Sequence, residues 1–482
     1  MHKAPPEDSG SGGESPGQAW RPGDRFEVWI FGDLPLGTPC GPSYMVESWA
    51  RELDRLGVVA RLFTPSGSWR RRARGAASVT FRTWRHLGFH GDHHARFSSL
   101  VQLWRARREL PDVVLVATPG RVGVLGVTLA AWHGVPLVVV ESTDVTGAMA
   151  HYGTTRMLVS GGSKPAVLMW AAPRMRAVLR HWPRRPRGSL FDGPALATRY
   201  AQATRRLAHQ VVWLSAKSLA CRPPDDDGPA GVVIPVGIDR LPDAAPPPEL
   251  CWRPGALRVL YVGRLTPEKS LWLLVEALHL AVRAGIDVHL TLTGGGHLAG
   301  PLAAHAARLG VADRLSVIGP YERSRLGGIF ASADVFAFPS VIETQALVLN
   351  EAAHEGLPLL VSDADVNPVV HDGQSALVVA HDPRAYAEAL GRLRDPQLRA
   401  RLGACAAERA QALREADQAA RLAAALHGAL TAPGQPLPSG RAMPAAALPA
   451  TRAPHRAPGG TGAAPAPVPA GRPAGGPGSG RR

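Results

Sequence analysis

Short apolar runs alternate with helical patterns along most of the chain, and this alternation constrains the fold more than any other feature. In the helical segments apolar residues recur every three to four positions, as in Met45, Trp49 and Leu53. The apolar runs begin near residues 26, 58, 113 and 137, and again near 257, 288, 315 and 334. Strands that are apolar throughout are typical of parallel sheets covered on both faces. The sequence therefore predicts an α/β protein with two doubly wound, Rossmann-like domains that face each other.

Composition divides the 482 residues into five segments. We predict an N-terminal domain at 25–240 and a C-terminal domain, including the terminal helices, at 256–430. Proline, aspartate and alanine dominate the start of 241–255, which is predicted to be the linker. Residues 1–24 and 431–482 are predicted to be disordered tails. In the second tail, 35 of 52 residues are Pro, Gly or Ala, too little apolar surface to offset the entropy of ordering.

The formal net charge of +15 comes from two stretches only. Residues 70–108 contain ten Arg and one Asp, and the C-terminal tail contains six Arg and no acid. A uniformly basic nucleic-acid-binding protein is therefore not predicted. Trp and Phe side chains interleave with the arginines of 70–108, which suits an anionic membrane surface. The alternative is a solvated face that keeps the protein soluble.

The four cysteines, Cys40, Cys221, Cys251 and Cys405, are far apart and form no CxxC pair. Neither a zinc site nor a disulfide framework is predicted, and a reducing cytosol fits this pattern. The first residues lack the pattern of a secretory signal. The apolar stretch 122–140 is interrupted by Gly, His and Pro, which favours a helix followed by a strand. We therefore expect a cytoplasmic protein, either soluble or peripheral on the inner face of the membrane.

Two loops that follow strands have the composition of ligand-binding loops. Gly263 permits a tight turn at a strand end, and Arg264 and Lys269 place two cations before the next helix. Two cations near a helix N-terminus suit a diphosphate, although two solvated surface cations remain the alternative. Gly294 and Gly295 follow the next strand and allow close backbone approach to a ligand.

Two carboxylates eight residues apart form the strongest candidate pair. Glu343 precedes a predicted helix over 344–355, and Glu351 lies two turns inside that helix. Eight residues correspond to about 80° beyond two full turns, so the pair does not chelate one small ion closely. It can contact two ends of an extended ligand whose phosphate lies at the helix N-terminus between them. A surface pair favoured by the helix dipole is the alternative.

In this order and at this spacing, these motifs resemble those of the family 4 glycosyltransferases, which have the GT-B fold. The resemblance extends over about 26–426 and is strongest at 257–381. It implies that Arg264 and Lys269 hold the donor diphosphate. Glu343 would bind the donor sugar hydroxyls, and Glu351 the nucleotide ribose. Donor contacts are also implied for Gly263, Gly294 and Gly295, and for backbone amides at the distal phosphate in Gln345, Ala346 and Leu347. Many members have Phe-Gly at the positions of Gln345 and Ala346.

The N-terminal half is similar to the family more loosely. Gly41 keeps half of a Gly-Gly turn that relatives place near the phosphates, and Pro42 removes an N–H there. Ser142 and Asp144 follow a strand where many relatives have a His near the transferred sugar. Asp144 as a helix N-cap is the alternative.

The resemblance implies a retaining hexosyltransferase that uses a nucleoside-diphosphate sugar, with no metal and no cofactor. Catalytic roles would fall to Glu343, Arg264 and Lys269. The acceptor is either a lipid or lipid-linked carrier or a soluble small molecule, and the donor base is UDP or GDP. An inactive nucleotide-sugar-binding protein and an epimerase of the same fold are the alternatives from other classes.

Overall fold

The computed structural model describes residues 20–22, 24–38, 40–65, 77–81, 83–85, 93–95, 109–118, 120–142, 201–224 and 226–431. Outside these residues lie Asp144, nearly all of the two predicted tails and the segment 165–180, for which the sequence predicts a helix. Of the basic stretch 70–108, three short strands are described.

A seven-stranded parallel sheet forms the N-terminal domain, in the order β3-β2-β1-β6-β7-β8-β9. Its strands are β1 (Glu27–Phe31), β2 (Val59–Pro65), β3 (Ala77–Phe81), β6 (Val113–Val116), β7 (Leu137–Glu141), β8 (Gln210–Trp213) and β9 (Val232–Val233). The strands β4 (Thr83–Arg85) and β5 (His93–Ala95) form a separate antiparallel pair. The strands of the basic stretch 70–108 are not among the elements that the sequence predicts.

Helices cover both faces of this sheet. The helices described in this domain are α1 (Gly41–Arg55), α2 (Arg121–His133) and α3 (Ala216–Ala220), and residues 201–207 are also helical. α1 packs Met45, Trp49 and Leu53 on one face, and α2 packs its apolar residues on the other. The central strands β1, β6, β7 and β8 are therefore buried on both sides, as their continuous apolar character predicts.

A six-stranded parallel sheet forms the C-terminal domain, in the order β12-β11-β10-β13-β14-β15. Its strands are β10 (Leu257–Val262), β11 (Val288–Thr293), β12 (Leu315–Ile318), β13 (Val335–Phe338), β14 (Leu359–Val361) and β15 (Ala376–Val378). The helices that follow β10 are α4 (Leu271–Arg283), α5 (Ala299–Arg308), α6 (Arg323–Ala331), α7 (Leu347–His354), α8 (Pro383–Arg392), α9 (Pro396–Gln411) and α10 (Glu415–Thr431). Two parallel α/β sheets confirm the predicted fold class.

The last helix differs from its predicted placement. The apolar pattern predicts one terminal helix from 396 to about 426 within the C-terminal domain, whereas the chain turns at 412–414 and starts α10. Leu422, Ala423 and Leu426 of α10 join the core formed by α1 and the N-terminal sheet. An amphipathic helix pattern identifies an apolar face but not the surface that covers it. The chain therefore crosses between the domains twice, once through the linker and once before α10.

Candidate functional site

The candidate site lies where three neighbouring strands of the C-terminal sheet end. β10 pairs with β11 on one side and with β13 on the other. Gly263 follows β10, Gly294 follows β11, and the segment 339–346 joins β13 to α7. Open α/β sheets bind their ligands at this carboxyl edge, so the three loops converge at the expected place.

The two glycine-containing loops contact each other closely. Leu265 N–H donates to the carbonyl of Gly295 over 2.9 Å, and Gly263 N–H donates to that of Thr293 over the same distance. Gly294 has φ of +147°, and a Cβ there would lie 1.8 Å from the carbonyl oxygen of Gly263. Glycine at 294 is therefore required for the approach of a neighbouring loop, where the sequence suggested approach to a ligand.

Lys269 and Glu343 form an ion pair at the centre of the site. Their side chains are only 12% and 18% exposed, respectively. Ser340 Oγ lies 2.7 Å from Glu343 Oε1 and donates to it. Burial by itself raises the pKa of Glu343, but the charge and hydrogen bond of Lys269, the bond from Ser340 and the charge of Arg264 outweigh it and lower the pKa. Glu343 is therefore ionised at neutral pH and acts as an acceptor of hydrogen bonds.

Arg264 adds a second cation beside this pair. Its Nη1 lies 2.9 Å from Glu268 Oε1, and its backbone carbonyl accepts a hydrogen bond from the buried Tyr261 hydroxyl over 3.0 Å. Burial raises the pKa of that hydroxyl well above its usual value, so it remains a donor. The structure thus brings together the three predicted residues Arg264, Lys269 and Glu343. Two cations adjoin a fixed carboxylate, which is suitable for binding a diphosphate next to a hydroxyl-bearing group.

Glu351 lies on α7, buried, and its partner is a residue that the sequence analysis missed. Arg323, at the start of α6, forms an ion pair with Glu351. The guanidinium of Arg323 also stacks over the Tyr44 ring of the N-terminal domain at 4.0 Å from the ring centroid. Glu351 is therefore held next to the boundary between the domains. A basic residue after the end of β12 is the signal that could have identified Arg323.

The segment Gln345, Ala346 and Leu347 leads into α7. α7 begins at Leu347, three residues later than predicted. Ala346 N–H already donates to the carbonyl of Val366 over 3.2 Å, so this amide is not available to a phosphate in this structure. The side chain of Gln345 exchanges two hydrogen bonds with the backbone of Val236, of 2.8 and 3.0 Å. Gln345 thus joins the two domains.

Gly41 and Ser142 of the N-terminal domain both face this part of the site. Gly41 begins α1, and a Cβ there would lie 3.4 Å from Cδ1 of Leu347. The neighbouring Cys40 thiol lies within the electrostatic reach of Arg264; burial nevertheless raises its pKa. Ser142 is buried after β7, and its carbonyl accepts a hydrogen bond from Thr344 Oγ1 over 3.0 Å. The N-terminal segments that contain Gly41 and Ser142 therefore lie against residues 344–347 of the C-terminal domain.

Metal-binding clusters and membrane-spanning helices are both absent from the part of the chain that the structure describes. Among the described residues, no group of three or more His, Cys, Asp or Glu side chains is arranged to hold a metal ion. Within the same ranges, no helix combines the length and apolar character needed to cross a membrane.

Two family models match the chain. One, described as glycosyl transferases group 1, matches residues 256–395, and the other, described as a glycosyl transferase 4-like domain, matches 41–184. Together they include more than half of the sequence, and each falls on one of the two parallel sheets.

Curated relatives share shorter segments. The D-inositol 3-phosphate glycosyltransferase of Streptomyces griseus is 39% identical over 168 residues, which are 32% of this chain and 36% of that relative. The enzyme of the same name from Corynebacterium glutamicum is 33% identical over 181 residues, 36% of this chain and 43% of the relative. The chain thus spans about two fifths of the length of the curated relatives that it matches.

Similarity of fold to solved structures covers a larger part of the chain than similarity of sequence does. HepE of Anabaena, solved in complex with UDP-glucose, is 17% identical and superposes with a TM-score of 0.58, covering 84% of this chain and 100% of HepE. At this identity the likeness concerns the fold. With both domain models matched and two parallel α/β sheets in place, the chain belongs to the family 4 glycosyltransferases of the GT-B fold.

Proposed function

We propose that the protein transfers a hexose from a nucleoside-diphosphate sugar to an acceptor hydroxyl with retention of the anomeric configuration. The observation that carries the proposal is the largely shielded Lys269–Glu343 ion pair beside Arg264, at the carboxyl edge of the donor-side sheet. Membership in the family and a solved neighbour in complex with UDP-glucose support the same chemistry.

The two cations would stabilise the leaving diphosphate. Negative charge develops on the phosphate as the glycosidic bond breaks, and preorganised positive groups in a buried site lower that barrier. Lys269 is fixed by Glu343, and the backbone of Arg264 is fixed by Tyr261, so little reorganisation accompanies the reaction. We propose that these side chains supply the positive charge without a resident metal ion.

Glu343 would accept hydrogen bonds from the sugar hydroxyls. Lys269 and Ser340 both contact Oε1 of Glu343, and its lowered pKa keeps it ionised. A carboxylate held in this way suits positioning better than covalent attack. A retaining transfer without a protein nucleophile follows if the departing phosphate accepts the proton of the acceptor hydroxyl on the same face of the sugar.

Glu351 would bind the ribose hydroxyls. Arg323 contacts its Oε1, and a carboxylate with two oxygens offers about four acceptor positions. Ribose and Arg323 can therefore share this group.

A screen of donors tests the proposal directly. Wild-type protein is incubated with UDP- and GDP-linked hexoses, and release of the nucleoside diphosphate is measured with and without candidate acceptor alcohols; NMR of the product gives the anomeric configuration. We expect turnover with one donor class and a retained anomer. Binding without turnover under any condition would favour the inactive binding protein instead, and inversion would exclude the retaining mechanism.

For the acceptor, we propose a lipid or lipid-linked carrier and peripheral binding at an anionic membrane. The support is the Arg- and Trp-containing stretch 70–108 in the domain opposite the donor site. Co-sedimentation with anionic vesicles at physiological salt should retain wild-type protein and lose a variant in which Arg70, Arg71, Arg72 and Arg74 are replaced by Ser. If wild-type protein does not bind the vesicles, the membrane proposal fails and a soluble small molecule remains as the acceptor.

A further inference from the structure

The loop that carries Glu343 is held from the opposite domain at three successive points. Lys217 Nζ donates to the carbonyl of Val341 over 2.7 Å. Thr344 donates to the carbonyl of Ser142, and Gln345 bonds the backbone of Val236, as described above. Residues on both sides of Glu343 are therefore fixed by the N-terminal domain, although Glu343 itself belongs to the C-terminal domain.

Lys217 is the charged member of this set. It lies in the first turn of α3, whose N-cap Ser215 accepts a hydrogen bond from Ser218 N–H over 3.1 Å. Besides the Val341 carbonyl, the ammonium contacts the carboxylate of Asp363, which follows β14. The two side chains are 22% and 15% exposed, so the pair is largely shielded from solvent.

This arrangement bridges two segments of the C-terminal domain with one N-terminal side chain. The segment after β13 contains Val341 and, two residues on, Glu343; the segment after β14 contains Asp363. The carbonyl of Val341 and the carboxylate of Asp363 are both acceptors, and the ammonium of Lys217 satisfies both at once. Without that donor the two acceptors lose their shared partner, and the loop loses an anchor adjacent to Glu343.

We propose that Lys217 is a positioning residue that holds the 339–346 loop, and thereby Glu343, in the sugar-binding geometry from across the domain boundary. The inference rests on the proposed function, because it assigns Glu343 to the donor sugar. Replacement of Lys217 should weaken binding of the sugar but not of the nucleotide. The reason is that Glu351, which would bind the ribose, lies on α7 and is held by Arg323 rather than by Lys217.

The distinguishing measurement compares binding of a nucleoside diphosphate with binding of its sugar derivative. Calorimetric titrations with UDP and UDP-glucose, and with GDP and GDP-mannose, are carried out on wild type, Lys217→Met and Lys217→Arg. Methionine keeps the length of the side chain and removes the charge and the donors. Arg283→Met, on the exposed last turn of α4, is the matched control for loss of one positive charge.

For Lys217→Met we expect the Kd of the nucleotide sugar to rise about tenfold, the size of one lost hydrogen bond to a charged group. The Kd of the free diphosphate should change less than about twofold. Lys217→Arg should restore most of the sugar affinity, since guanidinium N–H groups can donate to the same two acceptors. Asp363→Asn should show the same selective loss, and its combination with Lys217→Met should add little further.

Two results would overturn the inference alone. In the first, Lys217→Met binds the sugar derivative as well as wild type; in the second, both ligands weaken equally, as a general loss of structure produces. Melting temperatures of all variants identify the second case. If wild type binds neither donor pair, the proposed function fails for these donors, and the inference fails with it.

Discussion

Two glutamates that are largely shielded from solvent, one in the candidate site and one at the boundary between the domains, have pKa values shifted in opposite directions. Glu343 contacts Lys269 and Ser340, and its pKa is lowered. Glu415, the first residue of α10, receives hydrogen bonds from Tyr44 and Ser48 and an ion pair from Arg51 of α1. Burial nevertheless raises the pKa of Glu415 to about 7, opposed in part by a backbone hydrogen bond with Asp239.

The pKa shifts differ in sign because different causes prevail at the two carboxyl groups. The ammonium of Lys269, only 12% exposed, outweighs the effect of burial at Glu343, whereas burial prevails at Glu415. We call Tyr44, Ser48, Arg51, Arg323 and Glu415 the domain seam. The site uses a strong local charge pair to fix a carboxylate in its ionised form. The seam buries a carboxylate mainly to join helices from different parts of the chain.

The largest expected effect is on the site. Lys269→Ala and Arg264→Ala should each lower kcat by about 10²- to 10³-fold, the range for removal of one preorganised group that stabilises developing negative charge. The measurement is initial-rate release of nucleoside diphosphate, with Arg283→Ala as the control. Activity near wild type in either variant would contradict the assignment of the diphosphate site.

A smaller effect is expected at the position where site and seam meet. Glu351→Gln removes the charge that the ribose hydroxyls would contact, so the Kd of the nucleoside diphosphate should rise about tenfold or more. Calorimetry with UDP and GDP measures this change, and Glu355→Gln, on the same helical segment, is the control. Unchanged affinity would place the ribose elsewhere.

Regular strands and helices can be predicted from the sequence, whereas elements defined by contacts between distant segments cannot. The strands and most helices follow from residue periodicity, because burial on both faces of a parallel sheet imposes it. α6 was missed because its sequence contains Gly327 and Gly328. A Cβ on Gly328 would lie 2.2 Å from the carbonyl of Ala244, so glycine here admits the interdomain linker. A close approach between distant segments leaves no local pattern.

In the candidate site, too, some residues can be identified from sequence motifs and others only from the assembled structure. Arg264, Lys269 and Glu343 belong to short motifs on neighbouring strands, and parallel pairing brings them together. Arg323 and Lys217 act across the domain boundary, where only the assembled structure defines their partners. Sequence could also not show that the Ala346 amide is used within the protein.

The pH dependence of stability should separate the two glutamates by sign. The folded pKa of Glu343 is lowered, so its stabilising contribution is present above pH 4.5, the value for an exposed glutamate, and is lost as the pH falls through the folded pKa. For Glu415 the folded pKa is raised, so its contribution is present below pH 4.5 and is lost as the pH rises to about 7.

Melting temperatures of Glu343→Gln and Glu415→Gln between pH 3 and 8 measure this difference. Relative to wild type, the deficit of Glu343→Gln should grow as the pH rises to about 4.5 and stay level above it, and that of Glu415→Gln should shrink as the pH rises from 4.5 to about 7. If the melting-temperature deficits of the two variants changed with pH in the same direction, the opposite pKa shifts of Glu343 and Glu415 would be contradicted.

The smallest effects should lie within the seam, at Tyr44. Tyr44→Phe keeps the ring under Arg323 and removes the hydroxyl bonded to Glu415, whereas Tyr44→Leu removes both contacts. At a pH above 7, where Glu415 is ionised, a hydrogen bond to this charged group contributes about 1.5–3 kcal/mol and an exposed cation–π contact about 0.5–1 kcal/mol. The step from Tyr to Phe should therefore lower the melting temperature more than the step from Phe to Leu. Tyr44→Phe should leave kcat near wild type if the seam joins the domains without entering the chemistry. A kcat loss as large as that of Lys269→Ala would instead make Tyr44 part of the site.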